Sequence, residues 1–166
     1  MSAISGTAPS SGPAPRSLYT AAQKKRRDET PWTLVQGVLA PLQFAVFLVS
    51  LVLVLRYLAL GEGYAAATWS ILIKTGFLYL IMITGAIWEK VVFDQWLFAP
   101  AFFWEDVFSF AVIALHTFYI FALFWTGAPP VTLMLIALAA YAAYVVNAGQ
   151  FLWKLRCARL QAEAPA

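Results

Sequence analysis

The pattern along this chain is one of long apolar stretches separated by short polar breaks. Four stretches follow one another, over residues 32–60, 64–92, 103–125 and 131–156. Each reaches the roughly 20 residues that a helix needs to cross a hydrocarbon layer about 30 Å thick. The breaks carry turn chemistry: Gly61-Glu62-Gly63, then Phe98-Ala99-Pro100, then Thr126-Gly127-Ala128-Pro129-Pro130. The pattern predicts an all-α protein, a polytopic bundle of four transmembrane helices. A soluble core built from four such segments would leave almost no polar face. A β-barrel would show short alternating segments, which are absent.

Composition supports that reading. Of 166 residues, 62% are hydrophobic and 11% charged, with a mean hydropathy of +0.75, whereas soluble domains are about half apolar and about a quarter charged. The excess must face lipid or another chain. The length holds one membrane domain, over residues 19–160, and no separate soluble catalytic module. Residues 1–18, rich in Ser, Ala, Gly and Pro, are expected to be disordered, and they lack the apolar core of a cleavable signal. Residues 161–166 form a short tail.

Charge orients the bundle. Lys24, Lys25, Arg26 and Arg27 precede the first span, and Lys154, Arg156 and Arg159 follow or close the fourth. The turns at the opposite end carry no Lys or Arg apart from Arg56 nearby. Positive residues favour the cytoplasm, so both termini and the 93–102 connection are expected there. The net charge of +3 comes from these clusters, which read as topology determinants with anionic-lipid contact and not as a nucleic-acid surface. Trp32, Trp88, Trp96, Trp104, Trp125 and Trp153 suit interface belts.

Polar residues within the spans are the informative ones, because ionisable groups at membrane depth are costly and face the interior. At a rise of about 1.5 Å per residue, Lys74 and His116 share a level near the midplane. The remaining polar groups gather toward the cytoplasm: Gln36 and Gln43, then Trp88-Glu89-Lys90, Trp104-Glu105-Asp106, and Asn147 with Gln150. The asymmetry predicts a polar cavity entered from that side. On the third helix Glu105, Ser109, Val112 and His116 share a face. The predicted ligand position lies between the carboxylate at the mouth and the imidazole at depth.

Each residue also has an ordinary explanation. Carboxylates at helix ends are common, and Glu105 and Asp106 suit a helix start electrostatically. Lys74 can snorkel, His116 can be a hydrogen-bonded structural residue, and Asn147 and Gln150 can join helices. One His and one Cys rule out an intrachain zinc site of the multi-Cys/His types. No phosphate-binding glycine loop, nucleophile elbow or dinucleotide fingerprint is present. The residues alone give a small membrane bundle with a polar end and name no substrate.

Four segments, residues 31–41, 84–93, 98–108 and 144–154, resemble the 3-vinyl (formerly 2-vinyl) bacteriochlorophyllide hydratase family. They carry Gln36, Trp88-Glu89-Lys90, Trp104-Glu105-Asp106 and Asn147-Ala148-Gly149-Gln150. The resemblance covers roughly residues 19–160. It implies a membrane-bound hydro-lyase of phototrophic bacteria that adds water to the C3 vinyl group of chlorophyllide a or a related chlorin, giving a 3-(1-hydroxyethyl) product. It also implies no dissociable cofactor, since magnesium belongs to the pigment.

The site residues are our inference. A carboxyl kept protonated by a greasy environment suits a general acid, and Glu89 and Glu105, then Asp106, are the catalytic candidates. A neighbouring carboxylate or an amide such as Asn147 would orient water, and Asn147 and Gln150 are both candidates for contact with the substrate. Trp88 and Trp104 would contact the ring, as would the aromatic run through Phe102. His116 would ligate the pigment magnesium axially, and Lys74 would pair with a substrate carboxylate or an internal partner. A homo-oligomer would supply volume for the macrocycle that four helices lack. The alternative is a non-catalytic pigment carrier or assembly factor. A small four-helix multidrug exporter would need an acid in the first span, and residues 32–60 contain none.

Overall fold

The computed structural model describes residues 18–163, with the side chains of 158, 159 and 161–163 left aside. The expected disorder over 1–18 falls almost wholly outside these residues, as do residues 164–166 of the expected tail.

Five α-helices make up the described chain: α1 Ala21–Glu29, α2 Pro31–Leu60, α3 Tyr64–Phe93, α4 Phe103–Phe121 and α5 Pro130–Glu163. A π turn, Ala122–Thr126, continues α4 to its end. The four long helices are apolar enough to cross a membrane, as the hydropathy pattern requires. Helix α5 continues well past residue 156, where the expected span ended.

The sequence pattern gave no hint of α1, because that helix is almost entirely polar. Its start is nevertheless written in a capping box: Gln23 N–H donates to Thr20 Oγ1 at 3.3 Å and Thr20 N–H donates to Gln23 Oε1 at 2.9 Å. Thr30 then closes α1 in an extended conformation and opens α2, with Pro31 at the first helical position. A residue before proline avoids the helical region, so two helices meet there in place of one.

Left-handed residues end the other helices: Gly61 at φ 72° after α2, and Asp94 at φ 61° after α3. Asp94 is held by Lys90, whose Nζ donates to its carboxylate at 2.8 Å and to its carbonyl at 3.0 Å. That hydrogen bond keeps the Asp94 carboxyl below the usual carboxylate range.

Helices α2 and α3 form one antiparallel hairpin and α4 and α5 another; α2 also packs on α5, α3 on α4, and α1 on α3. Phe47 and Val54 of α2, Ile71 and Leu78 of α3, Val112 and Tyr119 of α4, and Met134 and Tyr141 of α5 meet in the core. The outer faces carry Leu34, Val52, Trp69, Phe124 and Trp153, all largely exposed. An apolar exterior around a tightly packed interior is the arrangement a lipid solvent requires.

Candidate active site

The described chain begins and ends at one end of the bundle, and the acids lie there too. Glu89 occupies the last turn but one of α3, Glu105 and Asp106 the first turn of α4. They are 5%, 6% and 4% exposed. The connecting loop, residues 94–102, folds its backbone onto them. Phe98 N–H donates to Asp106 Oδ2 at 2.7 Å, and Ala99 N–H donates to Glu89 Oε2 at 3.2 Å. Phe98 is held at φ 58°, a conformation a bulky residue adopts only when its surroundings compel it.

The Glu89 and Asp106 carboxyls also neighbour each other closely enough to interact. Two carboxyls can hydrogen-bond to each other only with a proton between them. Glu105 is differently placed: Lys154 Nζ of α5 lies 2.5 Å from its Oε2. The same ammonium donates to the carbonyl of Ala101 and stands 4.9 Å over the Phe102 ring. Glu89 and Asp106 thus form a neighbouring pair of carboxyls, and Glu105 belongs to an ion pair with Lys154.

Aromatic rings surround this cluster. Phe102 packs against Trp88, Phe93 and Phe151, and Tyr19 stacks on Phe93 at 5.8 Å. Trp88 Nε1 donates to Thr33 Oγ1 at 2.9 Å, and Thr33 donates to the Arg27 carbonyl at 2.6 Å, which fastens the end of α1 to α3. A second aromatic group faces outward: Phe98 stacks on Phe110 at 5.4 Å and leans on Phe103, with Trp104 beside Phe103 and 65% exposed. Of the expected aromatic platform, Phe102 is therefore interior, and Phe103 and Trp104 are on the surface.

Helix α5 adds amides. Asn147 Nδ2 donates to Ser109 Oγ at 2.9 Å. The buried oxygens Asn147 Oδ1 and Gln150 Oε1 receive a hydrogen bond from no described group.

Lys74 and His116 are not brought to the acids. They meet each other, fully buried, with Lys74 Nζ 3.0 Å from His116 Nε2. His116 Nδ1 donates to the Val112 carbonyl at 2.8 Å, so Nε2 carries the lone pair and accepts from Lys74. Magnesium ligation would require that bond to break. The lysine amine also lies 4.2 Å from the centre of the Tyr144 ring and 5.2 Å from that of Tyr141. The internal partner, and not the lipid surface, receives this side chain.

Between Glu105 and His116 the shared face of α4 is filled: Val112 is fully buried and Ser109 is taken by Asn147. An apolar groove of about 410 Å³ lies elsewhere, between α2 and α3, lined by Leu34, Val35, Val38, Leu39, Leu80 and Thr84.

Three participants escaped the sequence pattern. Lys154 read as a topology residue, although its spacing of four from Gln150 puts it on the amide face of α5. The backbone donors of Phe98 and Ala99 carry no side-chain signal at all.

Four apolar spans with a buried acid cluster where the described chain begins and ends define a small polytopic membrane protein with a polar cluster at one end of the bundle. A family model for 2-vinyl bacteriochlorophyllide hydratase matches residues 19–157. The 2-vinyl bacteriochlorophyllide hydratase of Cereibacter sphaeroides is 74% identical over 157 residues, covering 94% of this chain and 98% of that protein. Its namesake from Rhodobacter capsulatus is 73% identical over 150 residues, covering 90% and 87%. The chain belongs to the 2-vinyl bacteriochlorophyllide hydratase family. No solved structure matches it.

Proposed function

We infer that this chain hydrates the vinyl group of a bacteriochlorophyllide-type pigment, turning CH=CH2 into CH(OH)CH3 within bacteriochlorophyll synthesis. Family membership supports the reaction. The observation that carries the mechanism is the neighbouring buried carboxyls of Glu89 and Asp106, a pair able to hold a proton between them, behind an outward-facing aromatic surface.

The pigment ring lies against Phe98, Phe103, Phe110 and Trp104, and reaches the site from the lipid side. Trp88 borders the site from within. The loop 94–102, fixed to the acids through Phe98 and Ala99, parts to admit the vinyl group. The acid pair gives its proton to the terminal vinyl carbon, and the conjugated macrocycle spreads the positive charge left beside the ring. Water adds to that carbon and returns a proton to the emptied carboxylate, so the cycle closes without a net change in the protein. Glu105, paired with Lys154, steadies the cation electrostatically. The pigment brings its own magnesium, and the protein supplies no further cofactor. The basic residues of α1 and α5 support a cytoplasmic position for both termini and for this site.

Incubating the purified protein with a vinyl-bearing chlorophyllide tests the reading. A product heavier by one water is expected, and pigment returned unchanged would point to a carrier. Glu89→Gln and Asp106→Asn each keep an acceptor for the loop N–H while removing the transferable proton. Wild-type rates in both variants would reject the acid assignment.

A further inference from the structure

We propose that Asn147 and Gln150, with Ser109, form the binding site for the reacting water. The inference rests on the hydratase reading and deepens it by placing the second substrate.

Asn147 is 7% exposed, and its amide is engaged at one end only, by Ser109. Its buried oxygen and that of Gln150 receive no bond from any described group. The other buried side-chain atoms left without such a bond, Thr68 Oγ1 and Tyr119 OH, lie against each other, so the two amide oxygens stand apart in needing an outside donor. A buried acceptor left unsatisfied costs about 1–3 kcal/mol, and a buried water typically meets such a need when two or more polar partners converge.

Convergence follows from spacing. Asn147 and Gln150 are three apart on α5, so they share a face with Cβ atoms about 5–6 Å apart. A water between them donates one O–H to each oxygen, and its lone pair is left free. Ser109 is three residues from Asp106 on α4, and Gln150 is four from Lys154, whose ammonium holds Glu105. The water site therefore lies about one helical turn from the acids. The oxygen lone pair forms the C–O bond at the cationic carbon, and the oxonium loses its proton to the carboxylate that donated the first one. Atoms balance: vinyl group plus water gives the hydroxyethyl group.

Two acceptors read the nucleophile. Water satisfies both amides, whereas methanol has one O–H and leaves one unmet. Hydration in dilute methanol yields a ratio of 1-methoxyethyl to 1-hydroxyethyl product, and the wild type is expected to favour water beyond the mole ratio of the two. Asn147→Leu or Gln150→Leu removes one acceptor and should raise the methoxy share roughly tenfold, the worth of one neutral hydrogen bond, with pigment affinity unchanged. Either variant suffices should the other fail to accumulate. A product ratio equal to wild type in a folded variant overturns the water site while the acid assignment stands. Wild-type protein giving neither product sinks the hydratase reading and this inference with it.

Discussion

The bundle buries polar groups in two places, and their bonding differs. At mid-depth, Lys74 meets His116, His116 meets the Val112 carbonyl, and Ser50 joins Tyr141 at 2.5 Å and Ser70 at 2.7 Å. These contacts tie all four spans together, and the Lys74 amine lies beside His116 Nε2 and the Tyr144 and Tyr141 rings. At the terminal end, one of three buried carboxyls is ion-paired with Lys154, two amide oxygens lack donors among the described residues, and Phe98 is strained. In a medium without water, closed bonding fixes a fold, and unfinished bonding persists where a ligand completes it. Depth alone does not distinguish structure from site.

The strongest way to break this contrast is to remove the transferable proton. Glu89→Gln should lower the hydration rate about 10²–10⁴-fold, the usual reach of general acid catalysis, with pigment binding and thermal unfolding in detergent near wild type. A comparable loss from Lys74→Met in folded protein would erase the distinction between the two layers.

Next in size is the ion pair. Lys154→Met leaves Glu105 buried without its cation and frees the Ala101 carbonyl. Because Lys154 is itself 24% exposed, the cost falls below that of a fully buried pair, at about 2–3 kcal/mol. The double variant with Glu105→Gln should recover much of that stability, since the orphaned charge is gone. Thermal melts of the single and double variants check this; no recovery would mean that Lys154 acts through the loop alone.

How much of this was legible in the residues differs by level. The spans were, because lipid leaves its mark on every exposed position. The gathering of Glu89, Glu105 and Asp106 at one end was also legible, from helix register. Their sorting was not: Glu89 and Glu105 look alike beside their tryptophans, and only the reach of Lys154 from α5 separates them. The face joining Glu105 to His116 was read correctly as a face of α4, but α5 fills it with Asn147. Helix α1 was missed because apolar periodicity was the guide, and its nine residues, from Ala21 to Glu29, have no buried member; the Thr20–Gln23 capping box was the available signal.

A smaller effect is expected in the middle layer. His116→Leu removes the acceptor for the Lys74 amine and should cost about 1–2 kcal/mol of stability, with hydration per folded molecule unchanged and the pigment absorption spectrum unshifted. A shifted spectrum would put His116 on the pigment magnesium and join the two regions into one site.

The smallest expected effect tests where the site stops. Gln36 Nε2 donates to Thr84 Oγ1 at 2.7 Å, and the threonine hydroxyl donates to the Leu80 carbonyl at 2.8 Å. This bond joins α2 to α3 beside the apolar groove and belongs to neither polar region. Gln36→Leu deletes the donor yet leaves the Thr84 hydroxyl bonded, so the loss should be about 0.6 kcal/mol, the average for an interhelical hydrogen bond in a membrane. Hydration should not change, because the variant touches neither the acids nor the amides. A large fall in pigment affinity from so mild a substitution would mean that the macrocycle occupies the groove between α2 and α3 and not the aromatic face of α4. The vinyl group would then reach the acids past Trp88, which lies one turn beyond Thr84 on α3.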